Sequence, residues 1–152
     1  MKKLLSVLLS AGLFFSLTAC GGKEADPPRD FTTADAQTLL DSSAFSEPLE
    51  EIDREIACSL YELDPDQVSE AAVYGSTGAT AEELAVFVFS DTDAADDAKT
   101  HFENRIANRT EDMKSYLPGE VPKLEKAVLE VRGATLLFVV ANDYAPVEEL
   151  LK

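Results

Sequence analysis

Leu84-Ala85-Val86-Phe87-Val88-Phe89, closed by Ser90 and followed by Asp91-Thr92-Asp93, is the stretch on which the fold turns. Six apolar residues in a row, with branched and aromatic side chains among them, read as a strand covered on both faces. Such a strand belongs in the middle of a sheet. The acids that follow open a long helix carrying Ala95, Ala98, Phe102, Ile106 and Met113 toward the core. Carboxylates favour the first turns of a helix because its N-terminal end is the positive end of the dipole.

Working outward, Ala71-Ala72-Val73-Tyr74 reads as a partner strand, joined across Gly75-Ser76-Thr77-Gly78-Ala79-Thr80, a segment of turn formers. Downstream, Pro118-Gly119 and Pro122 mark the exit from the long helix. Residues 127–132 and 135–140 then form a hairpin across Gly133-Ala134, with glycine first as a type II′ turn requires. Asp143 and Pro146 start a short terminal helix ending at Lys152. Upstream, Thr32 or Thr33 caps a helix through Ala36, Leu39 and Leu40 that stops near Ser42-Ser43. Pro48 suits a first helical position. Leu49, Ile52, Ile56, Leu60 and Leu63 recur at steps of three and four behind it, the stripe of an amphipathic helix. Asp64-Pro65-Asp66-Gln67 is a fresh cap opening one short turn. The expected class is α+β: an antiparallel sheet of about four strands, with the long helix and shorter helices packed on it as a single domain over residues 32–152.

The N-terminal segment sets the expected address. Lys2-Lys3, an apolar run from Leu4 to Phe15 and Ser16-Leu17-Thr18-Ala19-Cys20 form a secretory signal peptide over residues 1–19. The run is shorter than the ~20 apolar residues that a membrane span needs. Leu17-Thr18-Ala19-Cys20 resembles the lipobox of bacterial lipoproteins, which implies cleavage before Cys20 and a diacylglyceryl group on its sulfur. A single fatty chain holds a protein marginally, and two or more hold it stably, at ~0.8 kcal/mol per buried methylene. Residues 20–31 are then the lipidated cysteine and a flexible linker, rich in glycine, proline and charge. The expected localisation is the extracytoplasmic face of a cell membrane.

Composition narrows the partners. Without residues 1–19 the chain keeps 11 bases against 29 acids, a net charge of −18. That field repels phosphate backbones and anionic headgroups, so no nucleic-acid partner is expected. With lipid on Cys20, Cys58 has no intramolecular partner, and its place in an apolar helical pattern marks it as a buried, inert thiol.

Tyr61-x-Leu63-Asp64 followed by Val68 and Val73-Tyr74, the segment Ala81-Glu82-Glu83-Leu84-Ala85-Val86-Phe87, Arg105, Tyr116 ahead of a proline, and Val131-x-Gly133 before an apolar strand share one resemblance. Together they resemble an uncharacterised family of small bacterial lipoproteins, typical of low-GC Gram-positive bacteria and classed only as a domain of unknown function. The resemblance spans roughly residues 33–150. It implies the same location and an α+β fold, and carries no catalytic residues across.

The remaining motifs each have a plainer explanation. Asp91, Asp93 and Asp97 sit at positions one, three and seven of a calcium loop, but Ala95, Asp96 and Phe102 occupy the positions that need a ligand, a glycine and a bidentate glutamate. Helix capping accounts for them. Residues 75–80 lack the lysine of a phosphate loop. His101 is the only histidine, and Asp97 one turn before it offers an ion pair. Cys58 with His101 would make an envelope enzyme, as would a cleft of carboxylates. Yet the acids of Glu82-Glu83, adjacent on a strand, and of Glu148-Glu149, adjacent on a helix, diverge rather than face each other. Arg105 and Arg109, one turn apart, suit an anion clamp or the neutralisation of neighbours such as Asp112. Tyr116 and Tyr144, with their prolines, suit the walls of a small groove. These four residues are the candidate ligand or partner contacts, with Cys20 as the lipidation site. The expectation is a non-catalytic binding or interaction module without cofactor or metal, held to the membrane by lipid, with a protein or peptide partner in the envelope. The alternatives are an envelope enzyme and a structural accessory subunit.

Overall fold

The computed structural model describes residues 28–152; the expected signal peptide, the expected lipidation site Cys20 and the expected linker up to residue 27 lie outside the described residues. The elements follow as α1 (Thr33–Leu40), β1 (Glu50–Ile52), α2 (Arg54–Leu60), β2 (Val68–Gly75), β3 (Glu83–Phe89), α3 (Thr92–Tyr116), α4 (Val121–Leu124), β4 (Val128–Arg132), β5 (Thr135–Val140) and α5 (Ala145–Leu150). Single 3-10 turns at Pro65–Gln67 and Pro118–Glu120 join them. The five strands run antiparallel in the order β1-β2-β3-β5-β4. The expected α+β architecture stands, with one strand more than the four read from the chain.

β3 takes the middle, as its unbroken apolar run requires. Alternate side chains serve two cores. Ala85, Phe87 and Phe89 face Ala57, Cys58 and Tyr61 at α2 and Ala95, Ala98 and Phe102 on α3. Leu84 and Val86 face Ala36 and Leu39 on α1 and Val147 on α5. The molecule is thus three layers, with α2 and α3 on one face of the sheet and α1 and α5 on the other. Tyr61 stacks on Phe102 with ring centroids 4.4 Å apart, and Phe87 and Phe138 meet that pair edge-on. At its start α3 is capped by Asp91, whose carboxylate accepts from Ala94 N at 2.9 Å.

Residues 48–63 depart from the single helix expected there. Glu50–Ile52 instead pair with Val73–Gly75 along the open edge of β2. A helix would leave that edge bare; the added strand satisfies its backbone groups and meets solvent with two glutamates, a common guard for a sheet edge. Asp53 then caps a new, shorter helix by accepting from Glu55 N at 2.8 Å. The restart changes which residues turn inward. Ala57, Cys58 and Tyr61 are buried, while Ile56 and Leu60 from the expected stripe are 63% and 39% exposed.

Packed chain also begins before residue 32. Arg29 bonds Asp35 at 2.6 and 2.8 Å, and buried Phe31 lies under the Arg132 guanidinium at 4.4 Å. Phe31 N donates to Thr135 Oγ1 at 2.9 Å. The chain thus enters the fold at the β4–β5 turn, where Gly133 has φ +54° and a Cβ would lie 2.6 Å from the Asp30 carboxylate. Gly133→Ala should therefore lower stability by about 1–3 kcal/mol, from left-handed backbone strain and overpacking together. Adding Asp30→Gly should recover the steric part only, read as two successive shifts in thermal midpoint.

Candidate functional site

Glu83 opens the central strand and Glu82 immediately precedes it, and both are buried, at 1% and 0% exposure. As consecutive residues of extended chain they point to opposite faces. They therefore do not face each other, and each has its own partners. Desolvating a carboxylate costs several kcal/mol, and only close counterions and hydrogen bonds repay it.

Glu83 faces α3. Arg105 Nε donates to its Oε1 at 2.7 Å and Arg105 Nη2 to its Oε2 at 3.1 Å. Arg109 Nη1 also donates to Oε2, and the Tyr61 hydroxyl donates to Oε1. The Arg105 guanidinium lies 4.9 Å above the Tyr61 ring. Burial drives the Tyr61 phenol far above its ordinary value, against the pull of both arginines, so it stays a neutral donor. Burial likewise pulls Arg105 and Arg109 below the ordinary arginine value, yet an arginine remains charged in any protein setting.

Glu82 faces the other way. It accepts from Ser46 N at 2.9 Å, Ser46 Oγ at 2.5 Å and Lys123 Nζ at 2.8 Å. Lys123 also pairs with Glu120 at 3.0 Å, and Glu120 accepts from Ala81 N at 2.9 Å. Burial pushes the Glu82 carboxyl up, but the Lys123 and Ser46 bonds outweigh it and hold the group below its ordinary 4.5. The same lysine is held above its ordinary value, the desolvation being outweighed by Glu82 and Glu120.

Arg105 and Arg109 thus do clamp an anion, the protein's own Glu83; Asp112, the neighbour expected from the chain, makes no direct ion pair with either among the described residues, though its charge acts on Arg109. Beyond Glu83 both arginines reach a cleft of about 250 Å³ between the end of α2 and α3, lined also by Leu60, Glu62, His101, Asn104, Asn108 and Asp112. Tyr144 is half-buried: its hydroxyl donates to Lys123 O at 2.9 Å and accepts from Ala141 N at 3.1 Å. Tyr116, the last residue of α3, is 74% exposed and joins neither network. Tyr144 lines an open hollow of about 640 Å³ with Lys126, Val128 and Asn142, and Tyr116 is not among its lining residues. Cys58 is fully buried and burial pushes its thiol up, the setting of an inert core residue. His101 meets Glu62 at 3.9 Å. Among the described residues, no group of three or more His, Cys, Asp or Glu is placed to hold a metal.

Sequence reasoning missed the burial of both acids. One signal was present: Glu82-Glu83 runs without a turn former into six apolar residues, so the central strand begins at the acids.

The family described as Domain of unknown function (DUF4358) matches residues 41–141. The chain belongs to this family. The DUF4358 span holds every member of both carboxylate networks, from Ser46 to Lys123, together with all five strands. Arg29, Phe31, α1 and α5 lie outside it. No curated protein and no solved structure matches the chain.

A carboxyl held below its ordinary value contributes stability above that value and loses it as the pH falls through the folded one. The domain should therefore weaken on acidification below about pH 4.5. Glu82→Gln should cost about 1–3 kcal/mol at pH 7, from the buried bonds it weakens. Its denaturation midpoints should also fall less steeply with acid than those of the unmodified protein. The slope should not vanish, because Asp35 is likewise held low by Arg29.

Proposed function

We propose that this chain is an extracytoplasmic lipoprotein, tethered to a membrane through lipid on Cys20, whose folded domain is a non-catalytic binding module. The tether follows from Leu17-Thr18-Ala19-Cys20 at the close of an apolar run too short to span. The observation that carries the binding reading is the surface of α2. Ile56 and Leu60 stand exposed on it, and Leu60 continues into the polar cleft lined by His101, Asn104 and Asn108. Exposed apolar side chains beside a cleft with polar walls suit recognition. The reactive groups support the same reading by their engagement: Glu82 bonds Lys123, Glu83 bonds both arginines, and Cys58 is buried.

In the native host, Cys20→Ser should abolish incorporation of labelled palmitate and move the protein out of the membrane fraction. Cross-linking on intact cells should recover a reproducible partner from the unmodified protein and markedly less from an Ile56→Glu variant. A mature protein whose Cys20 sulfur is bare by mass spectrometry would overturn the tether. A cross-linking yield indifferent to Ile56→Glu would overturn the docking surface.

A further inference from the structure

We propose that the cleft between the end of α2 and α3 binds an α-amino acid through its carboxylate and adjacent N–H, either as a free molecule or as the carboxy-terminal residue of a peptide. This rests on the binding-module reading and gives that module a ligand chemistry.

The floor supplies the anion site. Three guanidinium N–H groups are spent on Glu83, from Arg105 Nε and Nη2 and from Arg109 Nη1. Arg105 Nη1 and Arg109 Nε and Nη2 have no protein partner among the described residues. Nor does any buried side-chain nitrogen or oxygen there lack one, so these free donors reach solvent, and both arginines line the cleft. A carboxylate arriving there meets two guanidinium groups already fixed in place by Glu83, so little rotamer freedom remains to be lost on binding.

The walls restrict what else can enter. Asn104 and Asn108, one turn apart on α3, line the cleft with side-chain amides that bond nothing else in the described protein, and each can both donate and accept. Glu62 and Asp112 line it too, adding two negative charges to the two positive and one negative of the floor. A compact anion such as phosphate is disfavoured by those acids, and a simple cation by the arginines. A ligand with a carboxylate at one end and an N–H donor beside it satisfies both. The volume of about 250 Å³ is less than drug-sized ligands fill and suits one residue. Half-exposed Leu60, with Ile56 beyond it, offers an apolar wall for the side chain.

Glu62 adds an independent sign. Leu63 N donates to Cys58 O at 2.8 Å and Glu62 N to Ser59 O at 3.3 Å, the paired bonds of a Schellman helix end. Glu62 holds the left-handed position of that motif at φ +57°, where glycine is the usual occupant. The chain accepts backbone strain and gains a carboxylate at the mouth of the cleft, 3.9 Å from His101.

Calorimetric titration of the full chain in detergent tests this with glycyl-glycyl-leucine, its carboxy-terminal amide, free leucine and inorganic phosphate as probes. At least one of the two carboxylate-bearing leucine probes should bind. Binding of the tripeptide alone would assign the cleft to peptide ends, and binding of free leucine to amino acids. Removing the carboxylate as the amide, or the wall amide as Asn108→Ala, should weaken binding about tenfold. Phosphate should not compete. Glu62→Gly should raise the thermal midpoint while weakening the same ligand, a combination that a merely structural Glu62 would not produce. No heat from either carboxylate probe at about 10 mM, or binding indifferent to amidation and to Asn108→Ala, would overturn the proposal. If the probes fail while a partner is still captured on cells, the cleft assignment falls and the binding-module reading survives.

Discussion

A carboxylate sealed inside a protein must find its counter-charges there, and Glu83 sets the terms for the layer above the sheet. It leads the central strand, so its position is fixed by pairing on both sides, to β2 and to β5. α3 must then be turned so that Arg105 and Arg109 point down to it, and α2 must end so that Tyr61 does the same. Once α3 is set in that way, Ala95, Ala98 and Phe102 on the same helix fall into the apolar core. One polar requirement and one apolar requirement choose the same helix rotation. Buried ion pairs of this kind are weak evidence for stability, because well-packed apolar side chains would serve it as well. What the structure shows is that Glu83 is satisfied from α3 and from the end of α2 together.

The cleft is a by-product of that arrangement. Two guanidinium groups meet one carboxylate, which leaves further guanidinium donors without a protein partner among the described residues. The helix end at Glu62 closes the other side. Glu82, one residue away and on the opposite face, draws in Ser46 and Lys123. The strand thus ties helices, loop and sheet together through two adjacent acids, and the end of the sheet nearest the cleft is held from both faces.

Much of this frame was legible in the chain where local chemistry decides the outcome. The apolar run 84–89, the Asp91 cap, the Pro65 turn and the glycine turn at Gly133 each rest on a few neighbouring residues, and each is found where the sequence places it. The misses are non-local. Residues 49–63 carry a good helical stripe, yet β1 forms because the edge of β2, more than twenty residues downstream, is open to it. Asp112 is near Arg109 in sequence, while Glu83, their actual partner, is 22 and 26 residues away from the two arginines. Nothing in a helical pattern names a partner on another element. The left-handed backbone of Glu62 was equally silent, since a glutamate at a helix end carries none of the signal that glycine would. The cleft could therefore be reached only as separate residues, Arg105, Arg109 and His101, each explained by itself.

A double-mutant cycle between Glu83 and Arg109, read by chemical denaturation at neutral pH, tests the central claim most directly. Glu83→Gln should cost about 3–5 kcal/mol, because it strands two part-buried arginines, and Arg109→Leu about 2–3 kcal/mol, because Arg105 and Tyr61 still bond Glu83. The double variant should cost no more than the worse of the two, a coupling of roughly 2 kcal/mol or more. Losses that simply add, within about 0.5 kcal/mol, would mean that the two groups act independently and that Glu83 does not organise the fold.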